Sequence, residues 1–155
     1  MITIRTNREP AEVALLPPFA DVRMTLKSLG AVDLSAAALA TEEIIQDAER
    51  VEALMQAHGL LPAGGIDEWR AMPVANPITF TSSLCGIGMW VGAAETAERA
   101  VTSWSGITDQ QGTPVPVSRA ALEAMLLNEA FADQLAAAID RAAQISVQPS
   151  SGAQE

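Results

Sequence analysis

Two chemically versatile residue types are almost missing from this chain: among 155 residues there is one cysteine, Cys85, and one histidine, His58. A single cysteine excludes an intramolecular disulfide framework, and a single histidine excludes a zinc site of the usual Cys/His kind within one chain. The cytoplasm is the expected compartment. Basic residues are scarce as well, 9 Lys and Arg against 19 Asp and Glu, for a formal net charge of −10. Binding to a phosphate backbone needs clustered cations, so no nucleic-acid partner is expected. The imbalance is uneven, with net +1 over residues 1–27 and net −11 over residues 28–155. A basic or nonpolar partner would therefore meet the later part of the chain.

Long apolar runs are lacking too. The segment Met1 to Pro10 alternates and has no apolar core, so it does not read as a signal peptide. The charge-free run from Ala71 to Ala94 is broken by Pro73, Asn76, Pro77 and three glycines. Its apolar part falls short of the roughly 20 residues that cross a bilayer, so a buried helix is expected and a membrane span is not.

What is present is a foldable composition, 49% hydrophobic and 18% charged. It predicts one α+β domain over residues 1–146, a small N-terminal antiparallel hairpin or sheet packed on a mainly α-helical bundle, with a polar tail over 147–155. Ile2 and Ile4 alternate with polar neighbours. Val13 to Leu16 and the alternating Val22, Met24, Leu26 form the arms of a hairpin whose tip is Pro17 to Asp21. Short strands do not stand alone in water, so helices must cover them.

From Ser35 to His58 the period becomes helical. Ser35 is a candidate N-cap flanked by a staple of Leu34 and Leu39, and Leu39, Ile44, Ala48, Val51 and Met55 form the stripe. Gly59 and Pro62 end it, with His58 in the last turn, where the helix dipole favours a cation. Gly59 to Pro77 reads as a loop with a short helix pinned to the core by Trp69. A central helix follows, capped by Ser82 or Ser83 and running to about Trp104 through Leu84, Ile87, Val91, Ala94, Ala97 and Val101. Its charge-free first half is expected to be buried and its second half, with Glu95, Glu98 and Arg99, exposed. Beyond Pro116, Ser118 caps one short helix, and Asn128 caps a last one with the stripe Phe131, Leu135, Ala138, Ile139, Ala142.

Between the central helix and Ser118 lies the densest turn chemistry of the chain. Asp109 and Gly112, three apart, suit the ends of a type I turn, and Pro114 and Pro116 hold the exit extended.

Several constellations imitate chemistry. Gly86-Ile-Gly88-Met-Trp-Val-Gly92 after Ile78 to Thr81 resembles a phosphate-binding turn, but no second parallel strand and no ribose-binding acid follow. The small residues serve equally to bring two helices together. Glu42, Glu43 and Asp47 read as a solvated helix face rather than a metal site. Ser105-Gly106 lacks a nucleophile elbow, and any triad would need the lone His58. No catalytic, cofactor or metal residues are assigned, and the chain is not expected to be an enzyme.

The corner Trp104-x-Gly106-Ile107-x-Asp109-x-x-Gly112-x-Pro114-Val115-Pro116 follows Ala97-Glu98-Arg99-Ala100-Val101 and precedes the Ser-capped helix. It resembles a family of small tailed-bacteriophage and prophage tail proteins, described as tail assembly chaperones or minor tail components. The stretch Ile4 to Pro10 and the strand Val22 to Lys27 are similar to the start of that family. Two departures stand out: Ser105 replaces a Glu of the corner, and Gly59 to Ala94 looks like an elaboration. The resemblance implies a non-enzymatic protein of tail morphogenesis, a chaperone acting in the host cytoplasm on the tape-measure or tube protein, or a structural component of the virion tail. Less favoured alternatives are a holin-like membrane protein and a nucleotide-binding enzyme. The expected partner surface is Leu60, Leu61, Trp69, Met72 and Met89, more large apolar residues than a loop needs; the alternative reading is that these residues close the core of a small domain.

Overall fold

In the hairpin, alternate side chains point to opposite faces, so Val22, Met24 and Leu26 are all driven into one core. The computed structural model describes residues 9–145. In chain order its elements are β1 (Ala11–Ala14), β2 (Arg23–Leu26), α1 (Ala31–Gln46), α2 (Ala48–Ala57), α3 (Gly65–Ala75), α4 (Pro77–Ala100), β3 (Val101–Ser105), α5 (Arg119–Met125) and α6 (Glu129–Ile145). The fold is α+β, with a three-stranded antiparallel sheet in the order β1-β2-β3. The strand expected around Ile2 and Ile4, and the tail expected from residue 147, lie outside the described residues.

β1 pairs with β2 in the register Val13↔Met24, and the tip is closed by the Phe19 amide on the Leu16 carbonyl at 2.9 Å. Gln134 of α6 fixes that tip, its Oε1 accepting from the Leu16 amide at 2.7 Å and its Nε2 donating to the Leu16 carbonyl at 3.1 Å. Phe19 meets Phe131 edge-on, centroids 5.4 Å apart.

The third strand corrects the expectation of a helix reaching Trp104. α4 stops at Ala100, and Val101 to Ser105 pair with β2, Met24 opposite Trp104. Val101, Thr102 and Trp104 suit a pleated surface, and the open edge of β2 supplies the ladder that decides between helix and strand. Val101 stays buried and Trp104 half-buried, so the inward positions survive the change of conformation.

The helix expected over Ser35 to His58 is two helices. α1 begins after Gly30, whose amide donates to Asp33 Oδ2 at 2.9 Å, while Ser35 sits exposed inside it. Leu34 and Leu39 make no staple and are 50% and 63% exposed. Asp47 breaks the run because its short carboxylate competes for backbone amides. It caps α2 by accepting from the Arg50 amide at 3.2 Å. Ile44, Val51 and Met55 are buried as expected, whereas Ala48 is exposed. Gly59 follows α2 with φ +67°, the left-handed stop that its position predicts.

α4 starts earlier than the serines suggest. Asn76 Oδ1 accepts from the Thr79 amide at 3.3 Å and Pro77 occupies the first turn, where its missing N–H costs nothing. The stripe residues Ile87, Val91, Ala94 and Ala97 are buried as expected, but two expectations are corrected: Ile78 and Met89 in the first half are 84% and 74% exposed, and Glu95 in the second half is buried beside the fully enclosed Ala97 and Ala100. The small alanines let the sheet and α6 close on the second half of the helix, and lack of charge does not by itself bury the first half. Gly88 and Gly92 face Ile45 and Thr41, which brings α1 onto α4 as the small-residue reading anticipates. Ser118 and Asn128 cap α5 and α6 through the Ala121 and Phe131 amides, both at 3.1 Å.

These elements enclose two cores. One joins the sheet, the second half of α4, α5 and α6 around Met24, Leu26, Leu122 and Phe131. The other joins α1, α2, α3 and α4 around Ile44, Val51, Met55, Trp69 and Val91. Trp90 packs against both.

Candidate partner-binding groove

Where the two cores meet, the surface sinks into a groove of about 430 Å³. Met55 of α2, Leu60 and Pro62 of the following loop, and Trp69 and Met72 of α3 form one wall. Ile87 and Trp90 of α4 with Leu126 and Leu127 form the other, and Ser83 and Gly86 lie on its α4 side. Pro62 helps end α2, Trp69 and Met72 are one helical turn apart on α3, and Ser83, Gly86, Ile87 and Trp90 recur on one side of α4. A Cβ built on Gly86 would meet nothing within 4 Å, so the absence of a side chain there leaves the groove open.

The walls are held by ring contacts and hydrogen bonds. Trp69 packs on Phe80 with centroids 4.8 Å apart. The Trp90 indole N–H donates to the Glu123 carbonyl at 3.0 Å, and its ring meets His58 edge-on at 5.0 Å.

Three of the five residues expected to form a partner surface, Leu60, Trp69 and Met72, come together in this groove. Trp69 is 5% exposed and packs on Phe80, so it pins α3 to the core as expected, and its reading as an exposed partner residue is corrected. Leu60 and Met72 are half-buried. Leu61 faces a separate depression with Glu52, Ile66 and Arg70, and Met89 lies on another side of α4. Trp90, Leu126 and Leu127 complete the groove, and the sequence pattern did not single them out.

An ion-pair chain ties α4 and α5 together, and His58 at the end of α2 hydrogen-bonds to it. Arg119 Nη1 stands 2.7 Å from Glu95 Oε1 and 2.8 Å from Glu98 Oε2, and its Nε stands 2.7 Å from Glu123 Oε1. Arg99 Nη1 holds Glu95 Oε2 at 2.6 Å, and His58 Nε2 lies 3.1 Å from Glu123 Oε2. Burial pushes the Glu95 carboxyl upward, but the hydrogen bonds from Arg99 and Arg119 outweigh it and hold the group below the usual carboxylate range. The same carboxylates raise Arg119 against the opposing effect of its own burial. The spacings Glu95 to Arg99 and Arg119 to Glu123 are helical i,i+4 pairs and were readable as such. The links between them arise only on packing. His58, expected to answer only the helix dipole, has a carboxylate partner across the fold.

The corner residues assemble as one structural device. The Trp104 indole donates to the Val115 carbonyl at 2.6 Å. Asp109 Oδ1 accepts from the Gln111 and Thr113 amides at 2.9 and 2.8 Å, and the Gly112 amide donates to the Asp109 carbonyl at 3.0 Å. Thr108 bridges to Pro114, and Pro116 leads to the Ser118 cap. Gly106 and Gly112 have φ of +83° and +81°, where glycine is favoured.

The remaining candidates separate. Ile78 to Thr81 are the first turn of α4, so Gly86 to Gly92 lie within the helix and present no helix N-terminus to a phosphate. Glu42, Glu43 and Asp47 are exposed, and no cluster of three or more metal-ligating side chains occurs among the described residues. No helix among them is long and apolar enough to cross a membrane. In comparisons with protein-family models, with curated proteins and with solved structures, none matches the chain.

Proposed function

We propose that this is a non-enzymatic binding protein of bacteriophage tail morphogenesis, a chaperone that takes a nonpolar helical segment of the tape-measure protein, or of the tube protein, into the groove between its two cores. The observation that carries the reading is the groove itself, an apolar trough walled by methionine, leucine and tryptophan. Such a trough suits the apolar face of an amphipathic helix, and the half-buried Met72 can adapt to varied partners. The net charge of −11 over residues 28–155 keeps a carrier of nonpolar segments soluble and repels nucleic acid. The tail assignment comes from the resemblance of the Trp104 to Pro116 corner.

The test is co-expression with the tape-measure protein of the same genome. Wild type should co-purify with it, and Met72→Asp, which places a charge on the half-buried rim of the groove, should not. Retained binding by a folded Met72→Asp variant would remove the groove from the mechanism. Mass spectrometry of purified virions separates the two tail roles, since a chaperone acting in the host cytoplasm should be absent from particles and a minor tail component present.

A further inference from the structure

On the side of α4 away from the buried Ile87, the exposed residues Ile78, Ser82, Cys85 and Met89 follow one another at steps of four, three and four. That is the spacing of a coiled-coil seam, and it lies within the stretch between Arg70 and Glu95 that carries no charged side chain. Ile78 and Met89 are 84% and 74% exposed. The seam stops where Gly92 turns under Thr41 of α1. Nothing in the described chain covers it.

We propose that this face pairs with the same face of a second copy, α4 against α4 antiparallel about a two-fold axis between Ser82 and Cys85. Two features select a second copy as the occupant. The first is charge: copies carrying −10 each repel over most of their surfaces, and an uncharged helix face is where two of them can approach without placing like charges together. The second is self-complementarity. Read from either end, the seam runs large, small, small, large, so an antiparallel pair sets Ile78 on the partner's Met89 and Ser82 on the partner's Cys85. The small central residues let the helices come close, and the large ones close the ends. An isologous contact of this kind is the commonest route to a homodimer, and antiparallel helices also align their dipoles favourably. The seam and the groove are different surfaces, so this pairing does not depend on what the groove binds.

Light scattering on the eluting full-length chain tests the pairing. The wild type should run at about twice its 16.2 kDa monomer mass at ~100 μM, and its dissociation constant should fall as salt rises and the mutual repulsion is screened. Met89→Glu and Ile78→Glu should both be monomeric with unchanged circular-dichroism melting, because each side chain is exposed within the monomer. A monomeric wild type, or dimers that persist in both variants, would overturn the proposal. Orientation is read by mild oxidation of an equal mixture of wild type and the double variant Ser82→Cys, Cys85→Ser. Antiparallel pairing joins the two forms in a mixed disulfide, whereas cross-links only within each form would contradict it.

Discussion

The indole N–H of Trp90 donates to the backbone carbonyl of Glu123 at 3.0 Å, tying the long helix α4 to α5 at the boundary between the two cores. Because Trp90 packs on both cores, one side chain couples the sheet half of the molecule to the α1–α3 half and at the same time walls the groove. Trp90→Phe should keep much of the packing but lose the hydrogen bond, costing about 1–2 kcal/mol. Trp69→Ala, which empties the second core, should cost about 3–5 kcal/mol. Chemical denaturation of both variants checks the order, and a Trp69→Ala midpoint equal to wild type would place that ring outside the core.

Two glycines with the same backbone angle should respond differently to alanine. At Gly112 a Cβ meets nothing within 4 Å, so only the left-handed backbone is strained, at about 1–2 kcal/mol. At Gly106 a Cβ would collide with the backbone carbonyl of Asp21 as well. Gly106→Ala should therefore exceed Gly112→Ala by roughly 1–3 kcal/mol in thermal or denaturant unfolding. Equal losses would mean that the hairpin tip yields freely.

The ion-pair chain gives the fold a dependence on acid. Glu95 is held below its ordinary range in the folded state, so its stabilisation is complete above the unfolded carboxylate range, from about pH 5–6, and disappears as pH falls through the folded value. Glu95→Gln should cost about 2–4 kcal/mol at neutral pH, moderated by the contacts Arg119 keeps with Glu98 and Glu123. The variant should also lose stability less steeply than wild type on acidification. A neutral-pH loss with an unchanged acid slope would separate Glu95 from the pH dependence.

The parts of this fold that were legible in the sequence are those decided within a few residues. Ser118, Asn128 and Gly59 act through hydrogen bonds or backbone angles three or four positions away, and the hairpin is fixed by the alternation of Val22, Met24 and Leu26. β3 was not legible, because Val101 and Trp104 fit a helical stripe as well as a strand and the distant edge of β2 decides between them. The same holds for α4, whose uncharged first half is core only on the side of Ile87 and Val91, a choice of face that packing decides. Of the groove, Leu60, Trp69 and Met72 stood out as excess apolar residues in a loop-rich stretch. Trp90, Leu126 and Leu127 did not: Trp90 sits within the helical run of α4, and Leu126 and Leu127 lie in the turn after α5, where only packing decides what they face.

Gly86 allows the groove to be altered without disturbing the cores. Nothing lies within 4 Å of a Cβ built there, so Gly86→Ala should stabilise α4 by about 0.5–1 kcal/mol through helix propensity alone. A lower melting temperature for this variant would mean that the site is more crowded than its geometry indicates.

The most direct measurement is therefore a titration of tryptophan fluorescence, with Trp69 and Trp90 both in the groove walls, by synthetic helical segments of the tape-measure protein. A nonpolar segment should give a saturable change with wild type, and Gly86→Phe, which fills the groove from α4 while its melting temperature stays at or above wild type, should abolish it. A saturable change that survives in folded Gly86→Phe, or none with any segment in wild type, would contradict the assignment of the groove as the partner site.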